Sequence, residues 1–278
     1  MPILQVDKQP SVQGIGAGQT ATLNMITGPS YHTLYIYGED GGVPIPAADW
    51  EVMLGDIRLI VNGTTIIEAS AKYLVARAQM LGYTLTAGVL PIFLTMRQAR
   101  TANGEDWTVL GTRGVASLTL EMDVLEGTVD KLEVTTEMSG PRDFGKHLEI
   151  RRYAKSSSVD GIDEISDFVT GRHVLCGFDI EKSTIGNVEV VADNRKIMDV
   201  DAAIRAQRLL DSGRVQQAGY THLDFMPQNR VIEPAQAANG QVVLSGEPLP
   251  MVLQDFRLKL DHTAIPNSYL IYEITIKG

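Results

Sequence analysis

The chain has 278 residues, with 24 basic against 34 acidic side chains and a net charge of −10. That balance argues against a nucleic-acid surface as its main business, because phosphate contacts need a basic stripe, and leaves room only for a local basic patch. A charged fraction of 21% and a hydrophobic fraction of 44% fit a packed core rather than a disordered chain, and the longest mostly apolar stretch, residues 87–96, is far short of the ~20 that cross a bilayer.

The opening residues, Met1-Pro2-Ile3-Leu4-Gln5-Val6-Asp7, have no basic or apolar targeting region, so no signal peptide is expected. Gly14-Ile15-Gly16-Ala17-Gly18 follows no buried strand and opens no helix. It reads as a flexible arm or turn that orders against neighbouring subunits, not as a phosphate loop. Residues 20–26 alternate and stop at Thr27-Gly28-Pro29-Ser30, and residues 32–37 alternate and stop at Gly38-Glu39-Asp40-Gly41-Gly42. Residues 57–61 run into Asn62-Gly63 and then residues 64–67. Asn-Gly between two apolar runs predicts a hairpin, because both residues accept positive φ. Ser70 caps a helix over residues 71–81 that ends at Gly82. Residues 115–122 form a period-two strand, and turn formers cluster at Ser139-Gly140-Pro141-Arg142-Asp143-Phe144-Gly145. Asp199 or Asp201 caps a second helix over residues 202–210, ending near Gly213. Residues 256–260 and 269–276 close the chain as strands.

An internal repeat ties these elements together. Gly55-Asp56-Ile57-Arg58-Leu59-Ile60-Val61-Asn62-Gly63 resembles Gly186-Asn187-Val188-Glu189-Val190-Val191-Ala192-Asp193-Asn194, 131 residues on. The same offset takes Ala71 to Ala202 and Gly82 to Gly213. Downstream, Gly82-Tyr83-Thr84 resembles Gly219-Tyr220-Thr221, and residues 118–123 resemble residues 256–261 at an offset of 138. The reading is all-β: two tandem eight-stranded jelly rolls, residues 1–140 with the N-terminal arm and residues 141–278, each with a short helix inserted.

Side chains that could carry chemistry are sparse. The single cysteine, Cys176, excludes a disulfide framework and lies in an apolar run, which makes it a small buried hydrophobe. Of the histidines His32, His147, His173, His222 and His262, none lies four residues from another. His222 and Asp224 share a sheet face, which suits either a metal pair or a satisfied polar pair. Asp160-Gly161-Ile162-Asp163-Glu164 with Asp167 is an acidic loop lacking the EF-hand pattern, to be read as a Ca²⁺ loop or as a solvated one. Trp50 and Trp107 lie near loops, as packing residues or interface anchors. No Gly-x-Ser-x-Gly elbow or paired-carboxylate motif is present. No catalytic, cofactor-binding or metal residue is assigned, and no cofactor is expected.

Three stretches carry a family resemblance: Leu148-Glu149-Ile150-Arg151-Arg152-Tyr153; residues 180–199 with the helix after them and Tyr220-Thr221-His222-Leu223-Asp224-Phe225; and Gln254-Asp255-Phe256-Arg257-Leu258-Lys259-Leu260-Asp261 with the terminal strand. In order and spacing they resemble the double jelly-roll major capsid proteins of tailless, internal-membrane icosahedral bacteriophages, of the corticovirus type. The resemblance implies a structural, non-enzymatic coat protein of the virion shell, made in the host cytoplasm. It implies a homotrimer, three chains giving six similar units in a pseudo-hexameric capsomer. It also implies contacts with neighbouring capsomers, a vertex (penton) protein and an underlying viral membrane or membrane protein, without direct binding of nucleic acid. Two other classes remain in view: a two-jelly-roll hydrolase of glycans or glycopeptides, which the 6% aromatic content disfavours, and a lectin-like spike, for which the chain has no shaft.

Overall fold

A computed structural model describes residues 4–97, 102–158, 160–168, 173–225, 239–244, 247–252 and 255–277. Residues clustered by contact fall into two compact units, Met1–Arg151 and Arg152–Gly278.

The first unit holds β1 (Gln5–Lys8), β2 (Thr20–Asn24), β3 (Ser30–Asp40), β4 (Val43–Pro44), α1 (Trp50–Met53), β5 (Leu54–Val61), β6 (Thr64–Ser70), α2 (Ala71–Met80), β7 (Val89–Phe93), α3 (Ala102–Glu105), β8 (Leu110–Gly111), β9 (Leu118–Val124) and β10 (Val129–Ser139). One sheet runs β1-β10-β3, with β7 and the short β4 and β8 also on β3; the other runs β6-β5-β9-β2. With the two-residue β4 and β8 set aside, two four-stranded sheets in this order are a jelly roll. Strand β9 shows the cause: Leu118, Leu120, Met122 and Val124 are buried and the residues between them are half-exposed, the period-two pattern of a strand with one face in a core.

Local signals act as the sequence predicts at the hairpin and the helix. Asn62 and Gly63 take φ of 49° and 78°, as a type I′ turn requires. The Ser70 hydroxyl accepts from the Tyr73 N–H at 3.2 Å, and the chain leaves α2 through Gly82 at φ 88°. Three expectations change. The strand predicted from residue 115 starts at Leu118, because the Asn62 side-chain oxygen accepts from the Ala116 and Ser117 N–H groups at 2.8 and 3.1 Å and draws them out of the ladder. Strand β3 passes its expected stop and runs to Asp40, where Gly38 donates to the Gly88 carbonyl at 2.9 Å. The expected flexible arm is docked on its own unit: β1 pairs with β10 from Gln5–Met138 to Lys8–Thr135, and Gly18 donates to the Val124 carbonyl at 2.8 Å.

The second unit takes in β11 (His147–Ser157), whose first five residues fall before the division that follows Arg151, and β12 (Gly161–Ile165), β13 (His173–Ile180), β14 (Ile185–Ala192), β15 (Arg195–Val200), α4 (Ala202–Asp211), β16 (Thr221–Asp224), β17 (Asn239–Leu244), β18 (Glu247–Val252), β19 (Phe256–His262) and β20 (Asn267–Lys277). Its sheets run β16-β13-β20-β11 and β12-β19-β14-β15, with β17 and β18 as a separate hairpin. The order repeats that of the first unit strand for strand. Between the sheets lie Phe178, Ile180, Val188, Val190, Leu258 and Ile271.

The repeat is structural. Strands β5 and β6 and helix α2 recur 131 residues on as β14, β15 and α4, and β9 and β10 recur 138 residues on as β19 and β20. Asp193 and Asn194, at φ 46° and 61°, repeat the Asn62-Gly63 turn. Asp201 is the second helix cap, its side chain accepting from the Ile204 N–H at 2.8 Å. Asp199 instead sits on β15, held by Lys196 and Asn187 at 2.7 and 2.8 Å. The match of Gly82-Tyr83-Thr84 to Gly219-Tyr220-Thr221 is out of register. Gly88 and Gly219 correspond, at φ 82° and 80°, each within a turn closed by Val89 N–H to Thr86 O at 3.1 Å or Tyr220 N–H to Gln217 O at 3.3 Å. The shift to 138 enters later, in the connection to β19 that carries the β17–β18 hairpin.

Candidate functional site

The residues singled out by sequence settle into structural roles. Cys176 is buried, its Sγ 3.7 Å from the Val174 carbonyl. His222 and Asp224 do not form a pair. His222 Nδ1 lies 2.6 Å from Asp179 Oδ1 in a buried contact, and Asp224 takes an ion pair from the buried Arg214. The acidic stretch is a strand, not a loop: residues 161–165 are the edge strand β12, paired with β19. Its carboxylates go to separate partners. Asp163 accepts from the Tyr269 hydroxyl at 2.6 Å, Asp167 from Lys155 at 2.5 Å, and Glu164 lies 3.6 Å from Arg257. Charged side chains such as Asp163 and Glu164 on an edge strand disfavour pairing with other chains. Among the described residues no three His, Cys, Asp or Glu side chains converge as metal ligands. His147 Nδ1 meets the Gly145 carbonyl at 2.7 Å; the side chain of His173 lies outside the described residues. Trp107 is half-buried under Lys146, whose Nζ is 4.8 Å from the ring centre.

Two buried histidines titrate with consequence. His262 is 2% exposed with no hydrogen-bond partner on either ring nitrogen. Burial holds its pKa below the ordinary 6.5, against the smaller upward pull of Asp163, with Lys182 opposing and Asp261 assisting that pull. His32 is lowered for the same first reason, with Asp106 pulling up and Arg97 and Arg142 pushing down. A depressed folded pKa gives stability that is complete above the unfolded value and is lost as pH falls from there through the folded value. The melting temperature is therefore expected to hold above pH 7 and to drop as pH falls below about 6.5. The variant His262→Val, which copies Val124 at the matching place in the first unit, is expected to remove part of that drop. Identical pH profiles for the two proteins would count against the account.

The repeats diverge at the loop end of each unit, beside its inserted helix. In the first unit β3 and β5 are joined by residues 41–53, which carry β4 and α1. Ile45 and Trp50 of this excursion are wholly buried. Ile45 donates to the Gly38 carbonyl at 3.1 Å and accepts from the Gly88 N–H at 2.7 Å. Gly38 permits the fit, since a Cβ there would stand 2.8 Å from both the Ile45 methyl and the Trp50 ring. Helix α1 packs beside α2, where Glu51 reaches Lys72 at 3.4 Å.

The second unit joins β13 to β14 by residues 181–184 alone. Among the described residues nothing corresponds to Ile45 or Trp50. An open cavity of about 420 Å³ is left, lined by Ser183, Ala202, Arg205, Gln217, Gly219 and Tyr220 among others. Arg205 takes the place of Leu74. It is 7% exposed, donates to the Ile185 and Gly186 carbonyls at 2.9 Å each, and keeps an unpartnered Nε. On α2 the side toward α1 is covered, with Tyr73, Ala76 and Met80 at 0%, 7% and 4% exposure. The matching residues of α4 are Ile204, 51% exposed, and the exposed Gln207 and Asp211. No motif announces this divergence; the repeat, set in its true register, reveals it.

Residues 6–139 match the family model of the viral coat protein P2 N-terminal domain, and residues 148–275 that of the P2 C-terminal domain. Among solved structures the fold is similar to the major capsid protein P2 from bacteriophage PM2 (17% identity, TM-score 0.84, 99% of this chain and 97% of that one). It is also similar to a chain in the atomic structure of Sulfolobus Turreted Icosahedral Virus (8%, 0.67, 99% and 90%) and to the PBCV-1 virus capsid (7%, 0.61, 99% and 95%). Curated protein sequences give no match. Two family models in tandem, over two units that repeat one jelly-roll topology, make this chain a member of the viral coat protein P2 family, a structural protein of the virion capsid.

Proposed function

We propose that the chain works without catalysis, as a homotrimer in which three chains present six like units as one pseudo-hexameric capsomer. Each unit is read as one half of the chain, residues 1–140 and 141–278, divided at the turn-rich stretch around Gly140. The observation that carries the proposal is the strand-for-strand repeat of β1-β10-β3-β7 over β2-β9-β5-β6 in the second unit. Six like units from one gene product fill hexagonal lattice positions under threefold symmetry. In that role the capsomer meets neighbouring capsomers, a vertex protein at the fivefold positions and an underlying membrane or membrane protein. Its net charge of −10 suits a shell that encloses DNA without holding it.

Light scattering on the purified protein tests the reading. A mass of about 91 kDa, three chains of 30.3 kDa, is expected, with hexagonal outlines in negative stain. A monomer at every concentration and divalent-ion level would overturn it.

A further inference from the structure

Two strands of each unit correspond as sheet edges. Strands β1 and β11 lie outside β10 and β20, and strands β6 and β15 lie outside β5 and β14. One such pair of edges is joined within the chain. The first residues of β11 lie along β6, with Ile150 opposite Ile67 in parallel pairing, both before the division that follows Arg151. There Leu148 and Ile150 are 3% and 2% exposed, and Ile66 and Ile67 are 3% and 0% exposed.

Their counterparts have no such cover. Leu4-Gln5-Val6 resembles Leu148-Glu149-Ile150, 144 residues on. Leu4 and Val6 are 52% and 63% exposed. Ile66 and Ile67 correspond, 131 residues on, to Ile197 and Met198 of β15, and these are 41% exposed and half-exposed. Among the described residues β1 and β15 each end a sheet, and an unpaired edge is a template for another chain. The charge beside Ile197 is already met, since Lys196 reaches Glu189 at 2.9 Å and Asp199 at 2.7 Å. The two open edges are thus the counterparts of two edges that the chain itself joins. That names the occupant of each: the other edge, in a second copy of this chain.

We propose that β1 of one chain pairs in parallel with β15 of a second copy, Val6 opposite Met198, as Ile150 lies opposite Ile67. Such a contact is head-to-tail, and threefold rotation closes it into a ring. It rests on the homotrimer reading, to which it adds the strands that join the chains. The register brings Asp7 beside Asp199, a like-charge pair that Lys196 tempers.

Two sets of variants test it on the full chain. In the first, Gln5→Cys and Ile197→Cys, both at exposed positions one residue from the central pair, are combined with the buried Cys176 left in place. Under oxidation or with a short bifunctional thiol reagent, linked chains on a denaturing non-reducing gel are expected from the double variant and from neither single variant. In the second, Val6→Asp is expected to weaken self-association roughly tenfold, since it buries a carboxylate against apolar side chains. Val43→Asp, at an equally exposed valine on β4, is expected to leave it unchanged. Asp7→Arg, which copies Arg151 and relieves Asp199, is expected to tighten it. Unchanged circular dichroism spectra would confirm that the variants fold. A wild-type monomer overturns the trimer reading and this contact with it. A wild-type trimer whose cysteine pair does not link, or links only within one chain, overturns the contact alone. So does a trimer that Val6→Asp and Val43→Asp affect equally, or that Asp7→Arg loosens.

Discussion

Replacing Gly177 by alanine is expected to lower the melting temperature of the second unit by about 10 °C, at a cost of ~3 kcal/mol. Gly177 lies on β13 at an irregularity in its pairing with β20, opposite Asp224 of β16. A Cβ built there would stand 2.3 Å from the Leu223 carbonyl oxygen and 3.5 Å from the Asp224 Cα. Both obstacles are backbone, so no side chain can rotate away. Strand β16 would have to leave β13, and with it the Phe225 N–H bond to the Cys176 carbonyl at 3.0 Å. Leu223, which packs in the core beside Phe178, would move too. Glycine in a strand interior often marks such a close approach of two backbones. Gly140→Ala is the control, because a Cβ there meets nothing within 4 Å; it is expected to stay within ~0.5 kcal/mol of wild type. Calorimetric melts of the two variants decide the matter, and a Gly177→Ala protein melting with the control would refute the steric account.

Sequence reading succeeded here where the signal is local and failed where it depends on what a segment packs against. Asn62-Gly63 and Ser70 act within a few residues of themselves, so turn and cap could be read directly. Asp193-Asn194 keeps the turn without any glycine, since Asp and Asn tolerate the left-handed region. The acidic strand β12 looked like a loop because its hydrogen-bond partner, β19, lies about a hundred residues away and leaves no trace in the local pattern. The false match of Gly82-Tyr83-Thr84 to Gly219-Tyr220-Thr221 rested on shared letters. The true match of Gly88 to Gly219 rests on shared backbone conformation, to which a string of letters is blind. The bare side of α4 was invisible for a related reason. It follows from the shortness of residues 181–184, and a missing segment has no pattern of its own.

The true register also sets two side-chain pairs at one place in the fold, an exposed Tyr83 on a half-buried Phe93 in the first unit and a buried pair in the second. Tyr83 and Phe93 in the first unit, with ring centres 4.7 Å apart, correspond at the 131-residue offset to Arg214 and Asp224 in the second. One jelly roll thus joins the segment after its helix to its next strand by an aromatic contact, and the other by an ion pair. The side chains of Arg214 and Asp224 are only 3% and 15% exposed. A buried ion pair roughly balances its Coulomb gain against desolvation, whereas removing one partner strands the other charge. Asp224→Ala is therefore expected to cost ~3–5 kcal/mol, the largest effect of any single charge removed from this unit. Arg214→Tyr combined with Asp224→Phe should instead come within ~1 kcal/mol of wild type or exceed it, because the scaffold already accepts that pair in its first copy. Thermal melts of wild type, both single variants and the double variant close a mutant cycle. If the double variant loses as much stability as Asp224→Ala, the second unit has come to depend on the charges themselves, and the equivalence of the two sites fails. If it recovers, the fold sets only the place of the contact and leaves its chemistry free, the same freedom that put Arg205 where the first unit keeps Leu74.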